Sequence, residues 1–507
     1  MPKFLKEDPP NKDPDKFLQV EHLQTDLKKR SIRGGAVVVL TEAFKFCLQM
    51  GSIVVLARLL SPEDYGLVGM VNVVMVFLGL FKDFGLSAAT IQKTDINHKQ
   101  VSTLFWINVA MGCILALIVA ALGPVIALFY NEPRLTWITV ALASSFILSG
   151  LTAQFEALLW RQMRFSSLAQ LQVISLTAGV IAAIVFALYG AGYWALVFMQ
   201  LITIFVNAIG VWVICDWRPG LPIKNSGVRS MLAFGGNLTG FYFVEYFSRN
   251  LDNILIGYFW GPQQLGLYSK AYQLLYLPIR QITTPVGHVA LPTLSRLQNE
   301  PEKYNAYLYK TLLAMAALGM PIVAFTFAAA DKIVLAFLGP QWLDSVPIFR
   351  LLAPAALVGI LWTGWIYQSL GRTARMFRWG AIAAIVDVSA FLIGIHWNAI
   401  GVAAAFSLSQ VILLVPAFAY CIRGTSLKLA ELAITLSRPV LFSTVAAVVV
   451  IGIDRLLPKS MNIGFSLFIN SILYCILYIA MWMFTPAGRH TLVEMLAAIK
   501  ELKFPSQ

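Results

Sequence analysis

The chain has 507 residues, of which 58% are hydrophobic and only 12% are charged. Soluble domains average roughly 25% charged residues, so this composition excludes a soluble enzyme, and its hydrophobicity excludes intrinsic disorder. In a soluble protein the net charge of +13 would suggest nucleic acid, whereas in a membrane protein it indicates basic cytoplasmic loops. The sequence therefore predicts a polytopic membrane protein that does not bind nucleic acid.

The first 33 residues are polar and lack the apolar core and cleavage site of a secretory signal. In residues 15–30 the apolar positions recur at helical spacing, as in helices that lie on a membrane surface. These positions are Phe17, Val20, Leu23 and Leu27. A disordered cytoplasmic tail is the alternative, and both interpretations stay open.

From residue 34 onward, fourteen apolar segments alternate with short stretches rich in Pro, Gly and charge. A helix needs about 20 apolar residues to cross a bilayer, and these segments are long enough. Helix-start signals separate them, as where Ser61 precedes Pro62 and two acids. The predicted spans are 34–60, 64–90, 100–130, 134–158, 166–189, 192–215, 229–259, 262–291, 305–330, 346–370, 377–397, 399–421, 436–457 and 463–485.

The basic residues between these spans lie mostly on one side of the membrane. With the N-terminus in the cytoplasm, the cytoplasmic segments hold 27 Lys and Arg and the opposite side holds five. Because cytoplasmic loops of membrane proteins collect basic residues, the distribution predicts an even number of spans with both termini in the cytoplasm.

Two short patterns recur in the two halves of the chain. P-x-x-x-G-L begins an apolar segment at Pro62 and again at Pro262. Leu159-Trp160-Arg161-x-x-Arg164 matches Leu370-Gly371-Arg372-x-x-Arg375. Repeats of six spans are parallel, an architecture typical of transporters. We therefore predict an all-α polytopic membrane fold of about 14 transmembrane helices, with two parallel six-helix repeats around a central cavity and two extra C-terminal helices.

This architecture predicts where the parts of the chain begin and end. They are a cytoplasmic tail (1–33), an N-lobe (34–215), a cytoplasmic linker (216–228), a C-lobe (229–421), a cytoplasmic loop (422–435), two additional helices (436–485) and a cytoplasmic C-terminal tail (486–507).

Segments between about residues 33 and 420 carry a family resemblance. They are ARLLSPEDYGLVGM (57–70), FGLSAATIQK (84–93), FYNEPRL (129–135), LLWRQMRF (158–165), GAGYWALV (190–197), LDNILIGYFWGPQQLGLYSKAYQLLYLPIRQI (251–282), LPTLSRLQ (291–298) and LGPQWLDSVPIFRLLA (338–353). The chain resembles the polysaccharide transporter (Wzx-type flippase) family of the MOP superfamily, in its exopolysaccharide or colanic-acid-like branch. Lipid II flippases and MATE exporters belong to the same superfamily.

The resemblance implies two six-helix lobes, alternating access and a location in a bacterial inner membrane. It also implies that the substrate is an undecaprenyl-diphosphate-linked oligosaccharide. A functional link to a polysaccharide polymerase and to glycosyltransferases follows from the same resemblance.

Ionisable residues inside spans cost about 2.5–3.5 kcal/mol each, so they usually face a cavity or a partner. In span 229–259, Glu245, Arg249 and Asp252 share one helical stripe. Span 34–60 carries Glu42 and Lys45 on a similar stripe, 200 residues earlier. This match predicts that both spans face a shared cavity. A Glu245–Arg249 pair that merely neutralises itself is the alternative.

Cations suit a diphosphate, which an arginine can bind through a bidentate fork. The predicted substrate-contacting residues are Lys45, Arg249, Lys270 and Arg280. Near Lys270, Tyr268, Tyr272 and Tyr276 either stack on sugar rings or pack between helices.

Four acids are predicted to couple transport to an ion: Glu42, Glu245, Asp252 and Asp387. Asp387 stands alone in an apolar span, which suits a proton-coupling site. The alternative is a protonated carboxyl that bonds to Ser389 or to another helix.

Several other functions were weighed against a flippase. The five cysteines show no CxxC or Cys/His spacing, so we predict no disulfide framework, metal site or cofactor, and there is no Walker motif. The candidate residues comprise four acids and four bases, which leaves open a MATE-like H⁺- or Na⁺-coupled exporter of cationic drugs. Short external loops disfavour a membrane glycosyltransferase, polymerase or ligase, so we predict that the protein is not an enzyme.

Overall fold

The computed structural model describes residues 27–82, 85–93, 96–222, 229–361, 363–456, 458, 461–485 and 488–489. The side chains of 27–39, 88–89, 229–245 and 247–249 lie outside this description. Most of the N-terminal segment with its two open interpretations, and nearly all of the predicted tail 486–507, also lie outside it.

Helices form the regular structure, and no strand occurs in the described ranges. The helices are α1 (Leu27–Leu59), α2 (Pro62–Gly79), α3 (Leu86–Gln92), α4 (His98–Tyr130), α5 (Arg134–Arg161), α6 (Phe165–Leu188), α7 (Trp194–Ile214), α8 (Arg229–Leu297), α9 (Pro301–Ala328), α10 (Ala330–Ile333), α11 (Ser345–Ile360), α12 (Gly364–Ser369), α13 (Thr373–Gly394), α14 (Asn398–Ile422), α15 (Leu429–Asp454) and α16 (Ile463–Phe484). Ten helices of the described chain are long and apolar enough to cross a membrane. The predicted all-α multi-pass class is confirmed.

One predicted span is wrong in detail, because it is interrupted. The span 64–90 ends as α2 at Gly79, and α3 begins only after Gly85. Gly85 has a φ of 67°, a left-handed conformation that glycine adopts without a steric penalty. The span 346–370 corresponds to α11 and α12, and the stretch Ser345–Ser369 as a whole is long and apolar enough to cross a membrane.

The start of α2 follows the predicted capping pattern. Asp64 N donates to Ser61 Oγ over 3.2 Å, and Ser61 N donates to Asp64 Oδ2 over 2.9 Å. This reciprocal pair satisfies donors that a helix N-terminus leaves unpaired.

Arg134, one of the few basic residues predicted to be external, donates to Glu63 over 2.6 Å and to Glu132 over 2.7 Å. The bonds from Arg134 hold the pKa of Glu132 below its ordinary value.

The chain divides into two compact units, residues 1–266 and 267–507. This division lies within α8, whereas the lobes were predicted to meet at the linker 216–228. Gly261, with a φ of 77°, separates α8 into a first arm that ends at Trp260 and a second arm that begins at Pro262. The first arm packs within the first unit, since the Tyr246 hydroxyl donates to Val73 O on α2. The lobe boundaries remain a prediction.

Within each unit, equivalent helices pack in the same way. In the first unit α4 packs on α5, α6 on α7, and α5 on α7. In the second unit the corresponding pairs are α9 with α11, α13 with α14, and α11 with α14. The helices α15 and α16 pack on each other, and α15 also packs on α9.

The last arginine of the repeated arginine pattern makes the same kind of contact in both units. Arg164 Nη1 donates to Ile214 O, at the C-terminal end of α7, over 3.1 Å. Arg375 Nη1 donates to Arg423 O, at the C-terminal end of α14, over 2.6 Å. Each arginine thus donates to a carbonyl that a helix end leaves unpaired. Its positive charge also lies at the negative end of the helix dipole, which is favourable. This equivalence supports the internal repeat.

The repeated P-x-x-x-G-L motifs contact each other inside the first unit. A methyl group added at Gly66 would lie 1.7 Å from Pro262 O, and one added at Gly266 would lie 1.8 Å from Pro62 O. Each glycine therefore packs on the carbonyl of the other motif's proline. Only a residue without a side chain permits such a close approach of two helix starts.

Candidate functional site

Lys45 lies in a polar cluster on α1. Its Nζ donates to Glu42 Oε1 over 2.8 Å and to Gln172 Oε1 of α6 over 3.0 Å. The lysine side chain is 20% exposed and the glutamate side chain 51%. Because Glu42 pairs with Lys45, a phosphate that binds this lysine competes with the glutamate for its charge. The structure therefore joins a predicted substrate residue to a predicted coupling residue.

The predicted stripe on the first arm of α8 is described only at Asp252. This side chain is buried, and its Oδ1 accepts from Asn253 N over 2.8 Å and from Asn253 Nδ2 over 3.2 Å. The side chains of Glu245 and Arg249 lie outside the described residues. The pairing of Glu245 with Arg249, and the role of both, stay predictions.

Lys270 is a buried cation on the second arm of α8. Only 7% of the residue is exposed, and Nζ donates to Gln273 Oε1 over 2.9 Å. Burial of an amine is unfavourable unless it is well hydrogen-bonded, so such residues concentrate at functional positions. Gln273 itself is exposed, which places the pair at the edge of accessible space.

A tyrosine ladder, formed by Tyr268, Tyr272 and Tyr276, runs along the same arm. The rings of Tyr272 and Tyr276 stack with centroids 4.2 Å apart and an interplanar angle of 13°. The rings of Tyr268 and Tyr272 are 6.4 Å apart. Tyr268 is buried, whereas the other two are half-buried. A half-buried aromatic row beside a buried amine offers apolar faces and hydroxyl groups on one side of a helix.

Arg280 lies on the same arm but away from Lys270. Ten residues of helix separate them, a rise of about 15 Å. The Arg280 side chain is exposed. The backbones of these two predicted substrate residues are therefore not adjacent along the helix.

Asp387 on α13 is bonded to the neighbouring helix α14. Its Oδ1 accepts from Ser409 Oγ over 2.7 Å and from Gln410 Nε2 over 2.9 Å. Ser389, the other partner considered, donates instead to Ile385 O of its own helix. The carboxyl group thus joins two helices of the second unit, and its role in coupling stays a prediction.

Two contacts were not predicted from the sequence. Asn207 Nδ2 of α7 donates to Glu156 Oε1 of α5 over 2.6 Å, although Glu156 is close to a predicted span end. Gln172 bonds to Lys45, as described above. A glutamine or asparagine inside an apolar span is the signal that could have drawn attention to both. In the described ranges, no group of three His, Cys, Asp or Glu is placed to hold a metal ion.

Fold and buried charges together define a multi-pass helical membrane protein with the features of a transporter. The family model described as "Polysaccharide biosynthesis protein" matches residues 55–347. That is more than half of the chain, and the chain belongs to this family, in agreement with the resemblance inferred from its motifs.

Similar proteins agree with this assignment. The Escherichia coli lipopolysaccharide biosynthesis protein WzxC is 24% identical over 76% of this chain and 80% of its own length. The Bacillus subtilis teichuronic acid biosynthesis protein TuaB is 28% identical over 60% of this chain and 64% of its own length. Among solved structures, the lipid II flippase MurJ in an inward closed conformation has a TM-score of 0.69 at 13% identity, covering 88% of this chain and 98% of that one. This last likeness shows the shared fold.

Proposed function

We propose that this protein is a flippase. It carries an undecaprenyl-diphosphate-linked oligosaccharide from the cytoplasmic to the outer leaflet of a bacterial inner membrane, for exopolysaccharide or lipopolysaccharide synthesis. The observation that carries the proposal is the second arm of α8, where buried Lys270 lies beside a half-buried tyrosine ladder. A lipid-linked glycan needs both elements, because its diphosphate is anionic and its sugar rings have apolar faces.

Binding begins at Lys270 in this scheme. Its ammonium group donates to Gln273 in the described structure, and in this scheme a phosphate oxygen replaces or shares the present partners of that group when substrate arrives. Tyr272 and Tyr276 then contact the sugars nearest the diphosphate. Arg280 acts on a different part of the substrate, because about 15 Å of helix separates it from Lys270. Arg249 and Lys45 are assigned to the same anionic head, with Lys45 released from Glu42 when substrate arrives.

The prenyl tail stays in lipid while the two lobes alternate in opening the cavity to each side of the membrane. Both termini lie in the cytoplasm, as the 27-to-5 distribution of basic residues favours. The partners are the polymerase and the glycosyltransferases that consume and build the repeat unit. The protein itself forms and breaks no covalent bond and is not an enzyme.

Coupling to H⁺ or Na⁺ is assigned to Glu42, Glu245, Asp252 and Asp387. Asp387 gives the sharpest test, because both of its donors bond to the same oxygen. Asp387→Asn keeps an acceptor there and removes only the charge. We expect normal protein levels and a fall in transport of about tenfold, with the remaining transport insensitive to the ion gradient.

Transport into vesicles with an imposed H⁺ or Na⁺ gradient measures this effect. Ser389→Ala is the matched control, since Ser389 lies on the same helix but bonds only within it among the described contacts. Unchanged gradient dependence in Asp387→Asn would exclude this carboxyl from coupling.

The whole proposal is tested in a deletion strain, by measuring surface polysaccharide and membrane-bound lipid-linked oligosaccharide together. We expect surface polysaccharide to be lost and lipid-linked units to accumulate facing the cytoplasm. Re-expression of the gene should restore both. Unchanged polysaccharide with new sensitivity to cationic drugs would contradict the flippase and support a MATE-like exporter.

A further inference from the structure

A groove of the first unit lies between α5 and α7. It encloses about 610 Å³ and is lined by Leu151, Ala208, Ile209, Trp212, Val213 and Arg218. Five of these six residues are apolar, and Ile209 and Val213 are 50% and 73% exposed. Since both helices are long and apolar enough to cross a membrane, a hydrocarbon chain is the natural occupant of the apolar part.

Two arginines lie at the C-terminal end of α7, where the groove ends. Arg218 donates to Cys215 O over 2.5 Å and to Trp212 O over 2.9 Å, at the C-terminal end of α7. Arg164 donates to Ile214 O of the same turn over 3.1 Å. Asp216 lies on the same stretch of chain. Two guanidinium groups, set against this carboxylate and the partial negative charge of a helix C-terminus, leave a small positive excess.

Arg218 is also placed at the boundary between apolar and polar surroundings. Its guanidinium lies 5.9 Å from the centre of the Trp212 ring, which forms part of the groove wall. In the described chain no acidic side chain forms an ion pair with it. Its exposed side chain therefore presents a positive charge where the apolar groove ends. Basic pockets of this kind, between transmembrane helices on the basic side of a membrane, suit anionic lipid headgroups.

We propose that this groove binds an anionic glycerophospholipid of the surrounding bilayer, with its phosphate at Arg218 and an acyl chain along Ile209 and Val213. The groove is formed by residues of the first unit, whereas Lys270 and the tyrosine ladder belong to the second. The proposal does not depend on the proposed transport function. Charge complementarity selects an anionic over a zwitterionic headgroup.

The test uses the full-length protein in nanodiscs of pure phosphatidylcholine or with added phosphatidylglycerol. Native mass spectrometry after mild delipidation counts the retained phosphatidylglycerol, and thermal unfolding is followed in parallel. We expect at least one tightly retained phosphatidylglycerol per wild-type chain and a higher unfolding temperature than in phosphatidylcholine alone. Arg218→Gln should lower the retention of phosphatidylglycerol at least fivefold and abolish the increase in unfolding temperature.

Arg378→Gln is the control, because Arg378 is also exposed and its described bond is to a carbonyl of its own helix. It should retain phosphatidylglycerol as the wild type does. Ile209→Trp narrows the apolar part of the groove and leaves Arg218 unchanged. It should also lower the retention of phosphatidylglycerol. Equal retention by wild type and Arg218→Gln would overturn the proposal. The proposal would also be overturned if phosphatidylcholine or inorganic phosphate stabilised the wild type as much as phosphatidylglycerol does.

Discussion

Gly66→Ala and Gly266→Ala are each expected to destabilise the folded protein severely. The added methyl group would lie 1.7 Å from Pro262 O in the first variant and 1.8 Å from Pro62 O in the second. Both obstacles are backbone atoms at helix starts, which cannot rotate away as a side chain can. Overpacking typically costs about 1–3 kcal/mol, and we expect these positions to lie at or above the upper end.

Chemical denaturation in detergent, together with the amount of protein in the membrane, measures the effect. Gly51→Ala is the matched control, because a methyl group at that helical glycine meets nothing within 4 Å. Gly69→Ala is a graded control, with its nearest contact to Leu265 at 3.5 Å. If Gly66→Ala unfolds at the same denaturant concentration as Gly51→Ala, the contact between the two repeated motifs does not exist.

Lys270→Gln is expected to reduce polysaccharide export at least tenfold while the protein still folds. A charge-assisted hydrogen bond contributes about 1.5–3 kcal/mol, which corresponds to roughly a tenfold to hundredfold change in affinity. The protein loses a buried charge that is costly to desolvate, so its resistance to denaturation should be unchanged or higher. A fall in transport without a fall in stability is the signature of substrate binding.

Export is assayed by complementing the deletion strain, and stability by denaturation of the purified variant. Lys303→Gln serves as the control, because Lys303 is 71% exposed and pairs with Glu300 at the start of α9. It should export normally. Normal export by Lys270→Gln would remove this lysine from the substrate path. Loss of export with an equal loss of stability would assign it a structural role instead.

Tyr272→Phe and Tyr272→Ala would then separate two roles of the tyrosine ladder. Phenylalanine keeps the stacked face and loses the hydroxyl, whereas alanine loses both.

Local patterns were sufficient for much of the fold. The capping box at Ser61 depends on residues three apart, and the hydrophobic lengths alone define most of the spans. The end of α2 at Gly79 was missed because Lys82 and Asp83 were interpreted as interfacial residues of one continuous span, while the conformation of Gly85 depends on its surroundings. Hydrophobic length does not distinguish one straight helix from two connected pieces.

The candidate residues were predicted from the cost of burying charge, which is a property of each residue and its span. The sequence therefore identified Lys45, Lys270 and Asp387 without any structure. Their partners come from other turns or other helices. Gln172 lies 127 residues from Lys45, and Gln410 lies 23 residues from Asp387. No local periodicity encodes such pairs.

The repeated motifs also separate what the sequence determines from what the tertiary structure decides. The sequence alone determined the class of protein, the family motifs and the correspondence of Gly66 with Gly266, because these depend on composition and on order along the chain. Only the tertiary structure decided that the two glycines face each other's prolines and that Lys45 contacts Gln172 of α6. Those outcomes depend on how helices distant in sequence approach one another, and this is decided by packing over the whole fold.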